Sequence, residues 1–166
     1  MAFKSVDEIY NFDFQDAQVF KFRANDDGIS FELESLIVEP ENSQNDNCTK
    51  SYAATTRVRL IDGKLIGAVK DGFKRYDADN KLIEQVEDSY VDNDQMKYIL
   101  KAAEGAFLFA MDADSESEEG KFLYNISVEF PSKEQYDIAG GVSYQLKVSF
   151  TKAIFEWDRY MNKVGY

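Results

Sequence analysis

The chain has 166 residues, 44% of them apolar, and its nineteen basic and thirty-one acidic side chains leave a formal charge of −12. That charge repels phosphate backbones and anionic membrane surfaces, because nucleic-acid binding rests on lysine and arginine replacing counterions. Thirteen Phe and ten Tyr supply enough apolar surface for a core, which excludes a disordered chain, and the length fits one domain, 1–166.

The first eight residues reach acids by Asp7 with no apolar stretch before them, so no secretory signal is expected. One cysteine, Cys48, forms no internal disulfide and suits a reducing, cytoplasmic setting. Asn47-Cys48-Thr49 and Asn125-Ile126-Ser127 match the glycosylation pattern, which carries little weight without secretion. No apolar run approaches the roughly 18 residues of a membrane helix. Ser5 and Glu8 make a capping box before Ile9, the mark of a short turn or helix.

Alternation then takes over. Phe20, Phe22 and Ala24 lead through Asn25-Asp26-Asp27-Gly28 into Ile29, Phe31 and Leu33, the pattern of a β-hairpin about an Asp-Gly turn. A polar loop runs from Pro40 to Ser51. Ala54, Thr56, Val58 and Leu60 mark the next strand, which turns at Asp62-Gly63 into a strand over 65–69. Strands over 73–76 and 81–86 flank Asp77-Ala78-Asp79-Asn80, a third hairpin.

Asp92 or Asn93 can cap a helix over 93–103, since Met96, Ile99, Leu100 and Ala103 share a face and Gly105 stands where it would stop. The acidic stretch 112–120 reads as a solvated hairpin loop between strands. Phe122, Tyr124, Ile126, Val128 and Phe130 alternate with polar residues, and so do Val142, Tyr144, Leu146, Val148 and Phe150. Both are half-buried strands of an antiparallel sheet. At the C-terminus Ile154, Trp157 and Met161 suit a helical face, although Ala153, Phe155 and Trp157 would also continue a strand. The expectation is a helix over 154–163.

Histidine is absent, which removes Ser-His-Asp and Cys-His chemistry and His-ligated metal sites. One cysteine builds no Cys-rich zinc or iron–sulfur centre. Gly140-Gly141 leads into a strand, not into the helix that a phosphate-binding fingerprint requires. Calcium loops fail as well: from Asp77 the fifth and sixth positions are Lys81 and Leu82, and from Asp112 the sixth and twelfth are Ser117 and Leu123. Divalent binding outside that motif would fall to Asp112, Asp114, Glu116, Glu118 and Glu119, but a charge run is ordinarily a solvated loop. Cys48 has only Lys50 beside it, so it makes a poor catalytic thiolate. No catalytic residue and no cofactor are expected.

Three stretches carry a resemblance: 5–12 (Ser-Val-Asp-Glu-Ile-Tyr-Asn-Phe), 73–78 (Phe-Lys-Arg-Tyr-Asp-Ala) and 155–161 (Phe-Glu-Trp-Asp-Arg-Tyr-Met). They resemble small bacterial proteins labelled "subtilin biosynthesis sensor protein". The label implies a sensor histidine kinase, yet this chain has no phosphoacceptor histidine, no glycine-rich ATP region and no membrane span. The resemblance therefore carries over no site residue.

The fold expected is mainly β, bordering on α+β: an antiparallel β-sandwich or partly open β-barrel of about eight or nine strands with one or two packed helices. The function expected is a non-enzymatic interaction module whose acidic surface meets a basic protein. One alternative is a carrier of a small apolar ligand, with aromatics lining an enclosed barrel pocket of roughly 300 Å3 or more. Another is a hydrolase working through two carboxylates. Tyr124, Tyr144, Trp157 and Tyr160 are the pocket or contact candidates, with core packing as the ordinary role of each.

Overall fold

The computed structural model describes residues 2–92, 95, 104–114, 120–130 and 142–164. Its first half holds β1 (Phe3–Val6), a 3-10 turn (Ile9–Asn11), β2 (Phe12–Asp13), β3 (Gln18–Asn25), β4 (Gly28–Glu34), β5 (Ile37–Val38), β6 (Ser51–Ala53) and β7 (Thr56–Ile61). Next come β8 (Lys64–Lys70), β9 (Phe73–Tyr76), β10 (Leu82–Val86) and β11 (Ser89–Val91). The last strands are β12 (Ala106–Ala113), β13 (Phe122–Phe130), β14 (Val142–Phe150), β15 (Lys152–Trp157) and β16 (Tyr160–Lys163). Eight of them (β3, β4, β7, β8, β12, β13, β14 and β15) have six or more residues, and the rest are short pieces that sequence alternation barely registers.

Ten strands form one antiparallel sheet in the order β1-β15-β7-β4-β3-β12-β13-β14-β8-β11. A second sheet runs β16-β6-β5-β2, while among the described residues β9 and β10 pair only with each other. The large sheet bends so that β8 comes close to β3 and β4, which makes the arrangement sandwich-like. The barrel does not close, because β1 and β11 remain edges among the described residues. No helix among the described residues is long and apolar enough to cross a membrane.

The alternating side chains fill the space inside the bend. Phe31, Leu33, Val58, Leu60, Leu108, Ile126, Val128, Leu146, Val148 and Phe150 are buried in one cluster. The small sheet packs on it through aromatics. Phe12 stacks on Phe155 with ring centres 4.5 Å apart and meets Trp157 edge-on at 5.9 Å, while Phe3 stacks on Trp157 at 5.6 Å. Fully burying such a side chain stabilises by about 1.5–3 kcal/mol.

Each turn has its own chemistry. Asn25 Oδ1 accepts the N–H of Asp27 at 2.9 Å in the first hairpin, and Asp62 takes φ +55 in the second. Asp77 Oδ1 accepts the N–H groups of Asp79 and Lys81 at 2.9 and 3.0 Å in the third. These are side chains supplying the bonds that a tight turn leaves open.

Three expectations need correction or limitation. Residues 154–163 are not helical: they complete β15, bend at Asp158 and Arg159, and form β16. Ala153, Ile154, Phe155 and Trp157 are all buried because β15 lies inside the large sheet with the small sheet over it. Burial on both faces erases the period of two. In β3 the inward residue is Val19, and a bulge with Lys21 at φ +52 turns Phe22 onto Phe31, ring centres 5.2 Å apart, while Ala24 is exposed. The helix over 93–103 lies outside the described residues except at its cap, where Asp92 Oδ1 accepts the N–H of Gln95 at 2.8 Å, and beyond its end, where Gly105 has φ +82. The short turn expected after Ser5 and Glu8 is present as a 3-10 turn, with the two side chains bonded to each other at 2.6 Å.

Candidate interaction surfaces

The β9–β10 ribbon stands apart from the core. Every residue of both strands is exposed, including Phe73, Tyr76, Leu82, Val86 and Ile83, the last at 63%. Phe73 pairs with Val86 and Arg75 with Glu84, the latter as a 3.1 Å ion pair; Tyr76 pairs with Leu82, and a bulge at Ile83 adds a further apolar side chain near the tip. Over residues 73–86 three cations (Lys74, Arg75, Lys81) balance three anions (Asp77, Asp79, Glu84), so the ribbon is neutral in a chain of charge −12. Next to it on β11, Tyr90 is 91% exposed. At the neck, Gly72 packs directly on the backbone of residues 86–88 and donates its N–H to Asp88 Oδ1 at 2.5 Å.

A second feature lies where β12 leaves β3. The two strands pair only at Ala106↔Val19 and Phe107↔Gln18, flanked by bonds from Gly105 N–H to Val19 O at 2.8 Å and from Leu108 N–H to Ala17 O at 3.0 Å. Beyond that point residues 109–113 face a cleft of about 390 Å3, whose other wall is residues 9–14. Tyr10, Phe12, Phe109 and Tyr124 supply rings, and Asp13, Glu39 and Asp112 supply carboxylates. Tyr10 is 75% exposed. Lys50 Nζ reaches both Asp13 Oδ2 and Glu39 Oε1 at 3.3 Å, and these bonds hold its ammonium above the usual lysine range. The Tyr124 phenol is pushed up by burial and then by the Asp7 and Tyr10 charges.

The loop that carries Glu39 and Lys50 is fixed by polar bonds instead of apolar packing. Asn45 Nδ2 donates to Val38 O, Glu39 O and Thr49 O at 3.1, 3.1 and 2.9 Å. Glu8 accepts the Ser43 N–H and Oγ–H at 2.9 and 2.6 Å and the Ser5 hydroxyl at 2.6 Å. Burial alone would raise the Glu8 carboxyl, but these bonds outweigh it and hold the group below its ordinary range. A general acid needs the opposite shift.

The structure separates most of the residues that the sequence singled out. Asp112 and Tyr124 share the β12 cleft. Asp114 accepts from Asn125 Nδ2 at 3.2 Å and lies 3.6 Å from Lys147 Nζ, while Glu116, Glu118 and Glu119 fall outside the described residues. Among the described residues no three carboxylates or thiols are grouped as a metal site requires. Tyr144 packs edge-on against Phe130 at 5.4 Å. Trp157 is wholly buried and meets Tyr160 edge-on at 5.9 Å. Tyr160 donates its hydroxyl to Gln44 O at 2.7 Å, and burial, then Asp46, pushes its phenol up to about 12. The Trp157 N–H tempers that rise, but its geometry is not that of a hydrogen bond, and it is the one buried side-chain polar atom among the described residues without a partner. Cys48 is exposed in the polar loop.

A larger trough of about 740 Å3 runs along the hairpin ends, with Asp26, Asp62, Lys64 and Lys121 at its rim and Leu65 and Phe150 below. Neither hollow is an enclosed, aromatic-lined chamber. Compared with known families, curated proteins and solved structures, the chain has no match.

Sequence reasoning missed the ribbon as a surface, although its residues were read as a hairpin. The signal was there: Leu82-Ile83 and Phe73-Lys74-Arg75-Tyr76 break the period of two that a half-buried strand shows. Tyr10, Phe109 and Glu39 carried no such signal, because only the third dimension brings them to one cleft.

Proposed function

We propose that the chain is a non-enzymatic protein-binding module that engages its partner through the β9–β10 ribbon. The observation that carries this reading is the exposure of Phe73, Tyr76, Leu82, Ile83 and Val86 on a ribbon with no third strand among the described residues. Phe73 and Val86 lie on one face of the ribbon and Tyr76 and Leu82 on the other; a two-stranded ribbon is marginal in water, and apolar side chains left exposed on it mark an interaction site. The ribbon's balanced charge also fits this role, since desolvating it on binding buries no net charge. The remaining surface keeps the net negative charge, which favours a partner that is basic around the contact.

The test is affinity capture with the full chain and with a variant carrying Tyr76→Ser, Leu82→Ser and Ile83→Thr. The reading expects a specific protein retained by the wild-type chain at moderate salt and lost by the variant, with both melting alike. Equal retention by the two, or a wild-type chain that retains nothing specific, would refute it.

A further inference from the structure

We propose that the cleft between the free edge of β12 and residues 9–14 seats an arginine side chain carried on an extended segment of the partner protein. This rests on the reading of the chain as a protein-binding module and names the chemistry of what it binds. Three independent features of the cleft converge on that ligand.

The first is the wall of rings. Tyr10, Phe109 and Tyr124 present aromatic surface to a space of about 390 Å3, large enough for one long side chain. A guanidinium stacks on such faces more readily than an ammonium does. The second is charge. Three acids, Asp13, Glu39 and Asp112, line the cleft and no cation does; Lys50, outside the lining, lies 3.3 Å from the first two. One lysine against three acids leaves the cleft net negative, and Asp112 stands exposed on its β12 wall. The third is the backbone. From residue 109 onward no described strand pairs with β12 on this side, so its edge offers donors and acceptors to an incoming extended segment. Charge alone would favour any cation anywhere on this acidic surface. Rings, carboxylates and a free strand edge in one cleft are what select an arginine on an extended chain.

The experiment is an amide-resolved NMR titration of the full chain at physiological salt with acetyl-Gly-Arg-Gly-amide, its lysine analogue and its glutamine analogue. Saturable shifts at Tyr10, residues 109–113 and Tyr124 are expected with the arginine peptide, weaker ones with lysine and none with glutamine. Tyr10→Ala and Asp112→Asn alter exposed side chains outside the core and should each weaken binding by about threefold to tenfold. Lys50→Met removes the competing cation and should tighten it by about threefold. Shifts spread over acidic surface without saturating, or an affinity unchanged by Tyr10→Ala, would overturn the proposal. If the ribbon still captures a protein while the cleft stays silent, this inference fails and the functional reading stands. If the cleft binds arginine but the chain captures no protein, the site stands and that reading fails.

Discussion

Gly72 is the point at which the ribbon is joined to the body, and replacing it by alanine gives the sharpest structural test. An added Cβ would lie far inside contact distance of Val86 O, 2.6 Å from Glu87 C and 2.8 Å from Asp88 N. All three are backbone atoms, so no side chain can swing away. The two strands of the neck would have to part by roughly 1 Å, which weakens the bond from Gly72 N–H to Asp88 Oδ1 and strains the adjoining Ser89↔Lys70 pair of β11 and β8. Overpacking costs about 1–3 kcal/mol and a hydrogen bond to a charged group about 1.5–3; allowing for relaxation, about 2–4 kcal/mol is expected. In a chain of this size that lowers Tm by roughly 5–15 °C. The control is Gly67→Ala in β8, where an added Cβ meets nothing within 4 Å; stability there should hold or rise by up to about 1 kcal/mol. Calorimetry reads the difference, and hydrogen exchange over residues 70–92 shows whether the loss centres on the neck. If Gly72→Ala melts with the wild type and with Gly67→Ala, the close-packed neck is wrong.

Trp157→Phe should change stability by less than about 1.5 kcal/mol, because the lost ring volume is offset by removing an unpaired buried N–H, whereas Trp157→Ala should cost about 3–5 kcal/mol; urea midpoints compare the two. Glu8 has a folded value below its unfolded one, so its contribution is whole above the ordinary glutamate range and is lost as pH falls through the lowered folded value. Glu8→Gln should therefore be less stable than wild type at neutral pH, with the gap closing on acidification from about pH 5 to 3; thermal melts across that window check it, and a constant gap would contradict it. Asn45→Ala removes one donor from each of three carbonyls, of which Glu39 O keeps the Asn42 N–H and Thr49 O the Ser51 hydroxyl; it should cost about 1–2 kcal/mol, with Asn45→Asp costing more because a carboxylate would face the same oxygens. An Asn45→Asp variant as stable as wild type would show that the amide does not hold the loop.

Much of the fold was legible because it obeys local rules. Asp-Gly and Asx chemistry marked three hairpins, and alternation marked β13 and β14, whose outer faces stay polar. Legibility failed where burial became two-sided. β15 lies between β1 and β7 beneath the small sheet, so Ile154, Trp157 and Met161 mimicked a helical stripe although only the first two are buried. The bulge at Lys21 failed for a related reason, since a positive φ at lysine has no compositional sign. The surfaces were less legible still. The composition reported the net charge of −12 but not that the ribbon is neutral in space, and nothing local links Tyr10 to Phe109 across ninety-eight intervening positions.

The claim that the ribbon is the contact element is tested most directly by placing a photo-crosslinking residue at position 83, near the tip, and in a second chain at Lys152, an exposed site on β15 away from the ribbon. Illumination in the native cell should give one discrete heavier species from position 83 and none from position 152. No adduct at 83, or the same adducts at both positions, would contradict the account.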